Sequence, residues 1–167
     1  MNLKEMDKPN FGKIQLDNLE DYYDSTIKYG QRKINIDINF EVKSSSQTEL
    51  NRVLNFIGKI PELDRINENY INLDLKKSPS MSHDYLRFYI EELEDELNNI
   101  IDVSGELQID IIKLKEKLNL VRVGIYPQAD YYGTFDYSID LDGEPCNQLL
   151  VINLNEDGSL NYITWES

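Results

Sequence analysis

The chain has 167 residues, of which 31 are acidic and 17 basic, and a formal net charge of −14. That length suits one domain able to bury about 70% of its unfolded surface, and a lone Cys146 with a lone His83 excludes an intrachain disulfide and a Cys/His zinc cluster. The charge opposes binding to nucleic-acid phosphates or to an anionic membrane surface, and no apolar run approaches the roughly 20 residues that cross a bilayer.

Residues 1–10 read as a loosely held arm. The opening MNLKEMDKPNFGK is charged and lacks the apolar stretch of a signal peptide, so a cytoplasmic, reducing location is expected. Phe11–Leu16 is expected as a short strand, Asn18–Asp24 as an acidic link, and Thr26–Tyr29 as the approach to a turn at Gly30-Gln31-Arg32. The clearest strand follows. Ile34, Ile36, Ile38, Phe40 and Val42 alternate with Lys33, Asn35, Asp37, Asn39 and Glu41, which predicts one core face and one wet face.

The period changes after Ser44-Ser45-Ser46, where Ser46 and Thr48 are available as helix caps. Leu50, Val53, Leu54 and Ile57 recur at helical spacing. Leu63, Ile66, Tyr70 and Ile71 predict a second helix ending near Leu73, and Ser78-Pro79-Ser80 with Ser82 predicts a loop and a cap. A third helix is expected over Asp84–Ile101, with Leu86, Tyr89, Ile90, Leu93, Leu97 and Ile100 inward and Arg87, Glu91, Glu94, Asp95 and Asn98 outward. Leu107, Ile111, Leu114 and Leu118 mark a last short helix.

Beyond Asn119 the period returns to two. Strands are expected at Leu120–Tyr126, Tyr132–Ile139, Gln148–Leu154 and Leu160–Trp165. Asn155-Glu156-Asp157-Gly158 reads as a hairpin turn, with Gly158 free to take positive φ. The expected organisation is therefore a single domain, 1–167: strands over 11–43, helices over 46–118 and a strand meander over 120–167. Its class is α+β, a mostly antiparallel sheet of an N-terminal strand pair and a C-terminal four-strand meander, packed against three to four central helices.

Catalytic vocabulary is sparse. The run Glu91, Glu92, Glu94, Asp95, Glu96 could offer carboxylates to a hard cation, but no second helix supplies the matching ligands of a di-metal site, and a solvated face is the simpler reading. Asn153–Gly158 resembles the first half of a calcium loop, yet the twelfth position is Thr164 where a glutamate is needed. Asp140-Leu141-Asp142-Gly143 reads as an aspartate-rich turn. Glu41-Val42-Lys43 has the spacing of a metal-dependent nuclease strand, with Asp24 upstream, but suits a strongly acidic chain poorly. His83 at a helix start meets the unfavourable end of the helix dipole, and Cys146 has no motif around it. No phosphate-binding glycine loop and no nucleophile elbow occurs. No catalytic residue, metal ligand or cofactor is assigned.

What remains is a surface. From Val121 onward Arg122 is the one basic residue against eight acidic ones, interleaved with Tyr126, Tyr131, Tyr132, Tyr137, Tyr162 and Trp165. Tyrosine and tryptophan anchor protein interfaces, and an acidic rim speeds capture of a basic partner. The candidate partner-binding residues are Tyr126, Asp130, Tyr131, Tyr132, Asp136, Asp142 and Glu144.

Leu120-Val121-Arg122-Val123-Gly124-Ile125-Tyr126-Pro127, Phe135-Asp136-Tyr137, Leu149–Ile152 and the ending Tyr162–Ser167 resemble the bacterial domain-of-unknown-function family numbered 2004. Phe11–Ile14, Ile36–Phe40 and Phe88–Leu93 extend that resemblance over nearly the whole chain. The chain departs from the family at Tyr89, where members often carry histidine, and near Cys146, where they often carry threonine. The resemblance carries no catalytic residues across. Small acidic bacterial domains of this kind are similar in type and size to immunity proteins that neutralise secreted toxins, which implies a domain that binds a basic protein; the charge opposes nucleic acid and membrane as partners. The alternative is a metal-dependent hydrolase or nuclease-like enzyme using scattered carboxylates. Binding is the favoured class.

Overall fold

A computed structural model describes residues 2–167. Strands β1 (Tyr22–Tyr29) and β2 (Arg32–Asn39) open the fold, and helices α1 (Gln47–Gly58), α2 (Ile60–Asp74), α3 (Met81–Glu92), α4 (Glu94–Leu97) and α5 (Leu107–Lys115) follow. The chain then returns through β3 (Asn119–Ile125), β4 (Gly133–Ser138), the short pair β5 (Asp140–Leu141) and β6 (Glu144–Pro145), β7 (Leu149–Leu154) and β8 (Leu160–Glu166). Six strands form one sheet in the order β1-β2-β3-β4-β7-β8, with every neighbour antiparallel except β2 and β3. That one parallel junction follows from the helical crossover, which brings the chain back to the end of the sheet where β2 began. The class is α+β, as the sequence predicts, with five helices where three to four are expected because the third breaks in two at Leu93.

Ile34, Ile36 and Ile38 of β2, Val123 and Ile125 of β3, Phe135 and Tyr137 of β4, and Leu150, Ile152 and Leu154 of β7 are buried on one side of the sheet. They join a single cluster with Val53, Phe56 and Ile57 of α1, Leu63 and Ile71 of α2, Tyr85, Leu86 and Tyr89 of α3, and Ile111 and Leu114 of α5. The helices thus form a second layer on one face. Each buried side chain of this size contributes about 1.5–3 kcal/mol of hydrophobic stabilisation.

Several boundaries differ from expectation. Phe11–Leu16 forms no strand, and the first strand instead runs through the segment read as an acidic link, pairing Tyr23 with Ile38 and Ile27 with Ile34. Tyr23, Ile27 and Tyr29 are buried and Tyr22, Asp24, Thr26 and Lys28 exposed, an alternation in which Ile27 is the one aliphatic residue. Val42 lies past the end of β2 and is exposed, and Leu54 is exposed while Phe56 takes its place inside. The arm is tied down at Glu5–Asp7: the Gly30 N–H donates to the Glu5 carbonyl at 2.8 Å and the Asp7 N–H to the Lys28 carbonyl at 2.9 Å.

Helix ends follow local chemistry. Ser46 Oγ caps α1 by accepting from the Glu49 N–H at 3.1 Å. Ser80, not Ser82, caps α3, and the buried Asp74 holds it by accepting from Ser80 Oγ and the Ser82 N–H, both at 2.9 Å. The helix expected over Asp84–Ile101 breaks at Leu93, where φ is −126°. Glu91 and Glu92 before the break meet the negative end of the α3 dipole, whereas Glu94, Asp95 and Glu96 after it occupy the first turn of α4, where the dipole favours them.

Candidate functional site

The face of the sheet opposite the helices carries the residues of opposite parity. Across its centre the register aligns Asn35 with Arg122 and Asp37 with Gly124, Arg122 with Asp136, Asp136 with Val151, and Asn153 with Tyr162. Arg122 organises this face. Its guanidinium lies over Gly124, where an added Cβ would stand 2.5 Å from Arg122 Nη2 and 2.8 Å from Tyr126 Cε2. Glycine at 124 is therefore a packing requirement of the arginine.

Arg122 Nε and Nη2 donate to the two oxygens of Asp37 at 2.7 and 2.8 Å, Nη1 donates to Asp136 Oδ2 at 3.0 Å, and Nη2 also donates to Tyr126 Oη at 2.7 Å. Asn39 Nδ2 adds a 2.6 Å bond to Asp37, whose side chain is fully buried while that of Arg122 is 29% exposed. Burial opposes the charge of Arg122, but the Asp37 and Tyr126 hydrogen bonds and both carboxylates outweigh it and raise its pKa. Asp136 shows the reverse balance: desolvation raises its pKa even with Arg122 beside it, and Glu166 pushes the same way. One cation thus faces two carboxylates, with Glu166 close enough to act on Asp136.

Tyrosines border this charge cluster. The Tyr126 and Tyr131 ring centroids are 5.3 Å apart and those of Tyr131 and Tyr162 are 6.1 Å apart, both edge-on. Tyr162 is 44% exposed. Below them Thr134 Oγ1 donates to Asn153 Oδ1 at 2.7 Å, and the buried Asn153 Nδ2 has no hydrogen-bond partner among the described residues.

The structure brings together Tyr126, Tyr131 and Asp136 of the predicted set and separates the others. Tyr132 points to the helix side and packs edge-on to Phe56 at 5.1 Å, where burial pushes its phenol up to about 12. It is a core residue. Asp130 is exposed in the turn before Tyr131, and Asp142 and Glu144 are exposed on the β5–β6 hairpin, which forms its own two-stranded sheet. Tyr137 is buried against α2 through Asp64 and Asn67, and Trp165 packs on Tyr85 and Phe88.

Sequence reasoning missed Asp37, Arg122 and Glu166. A lone arginine inside an apolar strand of the acidic third was a usable signal, since a partly buried guanidinium demands carboxylates. Its partner lies 85 positions away across a parallel junction, which local periodicity does not reach.

The other candidates hold no reactive arrangement. Among the described residues no group of three or more His, Cys, Asp or Glu side chains stands in a geometry that could hold a metal ion, and no helix is long and apolar enough to cross a membrane. Glu41 and Lys43 lie beyond β2, and Lys43 is paired with Asp21. His83 lies in the first turn of α3, 3.3 Å from Gln108 Nε2 and 3.8 Å from Asp84. Comparison of the chain with protein-family models, with curated proteins and with solved structures yields no match.

Proposed function

We propose that this is a protein-binding domain that takes a basic partner at the tyrosine-bordered side of its sheet, opposite the helices. The observation that carries the reading is the run Tyr126–Tyr131–Tyr162 beside a cation already committed to two carboxylates. Tyrosines supply contact area at low entropic cost, and the exposed Glu166, with the exposed Asp130 next to Tyr131 in the chain, offers negative charge to arginine or lysine side chains. A basic toxin, with this chain as its immunity protein, is the partner class suggested by the likeness in size and acidity to immunity proteins, and membership of the family numbered 2004 belongs to the same proposal.

Calorimetric titration with a synthetic arginine–glycine repeat peptide tests the reading. Saturable binding that weakens with salt is expected. Binding unchanged by Tyr131→Ala together with Tyr162→Ala would place any basic partner elsewhere.

A further inference from the structure

On the helix side, at the edge formed by the arm, α2 and α5, Lys4 meets a prepared receptor. Its Nζ lies 5.3 Å from the centroid of the Tyr29 ring and 3.2 Å from Asp64 Oδ2. Asp64 also accepts the Tyr29 and Tyr137 hydroxyl protons, each at 2.7 Å. The carboxylate is only 12% exposed, whereas the Lys4 side chain is 55% exposed. The receptor is thus built into the fold, and the ammonium that fills it comes from a surface side chain on the arm.

Beside this contact lies a cavity of about 200 Å³, walled by Tyr29, Pro61, Ile71, Leu118 and Tyr137 with Asp64 among them, and lined also by Arg65, Glu68 and the Lys115–Glu116 ion pair. An aromatic face, a carboxylate oriented by two phenols and an apolar wall together recognise an ammonium group on a short alkyl chain. We propose that this cavity binds a small aliphatic primary amine, and that Lys4 is an internal competitor which the amine displaces. The exposed lysine is a weak holder, since ion pairs at this level of exposure contribute little. Its tether nevertheless gives it a millimolar effective concentration, which an incoming amine must exceed.

The test is an NMR titration of the full chain and of Lys4→Ala with n-butylamine, using n-butanol as the uncharged control, at neutral pH. Saturable shifts of the Tyr29 and Tyr137 ring resonances are expected, with Lys4→Ala binding about tenfold more tightly than the natural chain and butanol causing no saturable shift. Asp64→Asn is expected to abolish binding, and binding retained in a folded Asp64→Asn protein would overturn the site. Should that variant fail to fold, Lys4→Ala decides alone: equal affinity in both chains, no binding in either, or butanol matching butylamine overturns the proposal.

Discussion

Arg122 and Asp37 form a two-point ion pair across the one parallel junction of the sheet, with N···O distances of 2.7 and 2.8 Å. They join the N-terminal strand pair to the C-terminal meander by side chains as well as by the backbone ladder. Removing the arginine strands a fully buried carboxylate. Arg122→Ala is expected to destabilise the fold by about 3 kcal/mol, since breaking a buried pair from one side leaves an uncompensated charge. Urea denaturation followed by circular dichroism measures this.

Gly124 supports the same pair from below. Gly124→Ala places a methyl where the Arg122 guanidinium and the Tyr126 ring now lie, and a cost of about 1–3 kcal/mol is expected from the forced displacement. A double-mutant cycle with Arg122→Ala checks the cause. The two effects should fall short of additivity, because once the guanidinium is gone part of the clash is gone.

Little of this pair was legible in the sequence. The alternation from Lys33 to Val42 identified β2 and its core face, yet assigned Asp37 to water because alternation reports a face and not what covers it. The four closing strands, the Ser46 cap and the Asn155–Gly158 turn were readable because their causes are local. The first strand, expected at Phe11–Leu16 and found at Tyr22–Tyr29, and Tyr132, expected on the surface and found in the core, were not readable for the opposite reason: which segments pair and which side of the sheet receives the helices is decided by packing between distant segments.

Alkaline pH should unfold the domain in step with its tyrosines. Burial first, and then Asp64, raises the phenol of Tyr29; burial also raises Tyr85, Tyr89 and Tyr137. The folded state therefore keeps protons that the unfolded chain releases near pH ~10. Their stabilising contribution is complete below that pH and is lost as pH rises toward the folded values. Near-ultraviolet titration should show these four of the 11 tyrosines silent until the circular dichroism signal collapses; smooth titration of all of them in a folded protein would contradict the buried assignments.

Tyr131 and Tyr162 should behave differently from the core rings. Tyr131→Ala and Tyr162→Ala remove side chains from the border of the face opposite the helices and should each change stability by no more than about 1 kcal/mol. If they are interface anchors, each should weaken binding of the arginine–glycine peptide by about 2 kcal/mol, roughly thirtyfold. Tyr132→Phe is the matched control. It keeps the packing on Phe56 and should leave binding unaltered.

The central claim concerns which face of the sheet meets a partner, and backbone amide shift mapping during titration with the arginine–glycine peptide tests it most directly. The account predicts saturable shifts concentrated at Tyr126, Asp130, Tyr131, Asp136, Tyr162 and Glu166, shrinking as salt is added. Shifts confined to the acidic run from Glu91 to Glu96 or to the β5–β6 hairpin, with the tyrosine-bordered face silent, would contradict it.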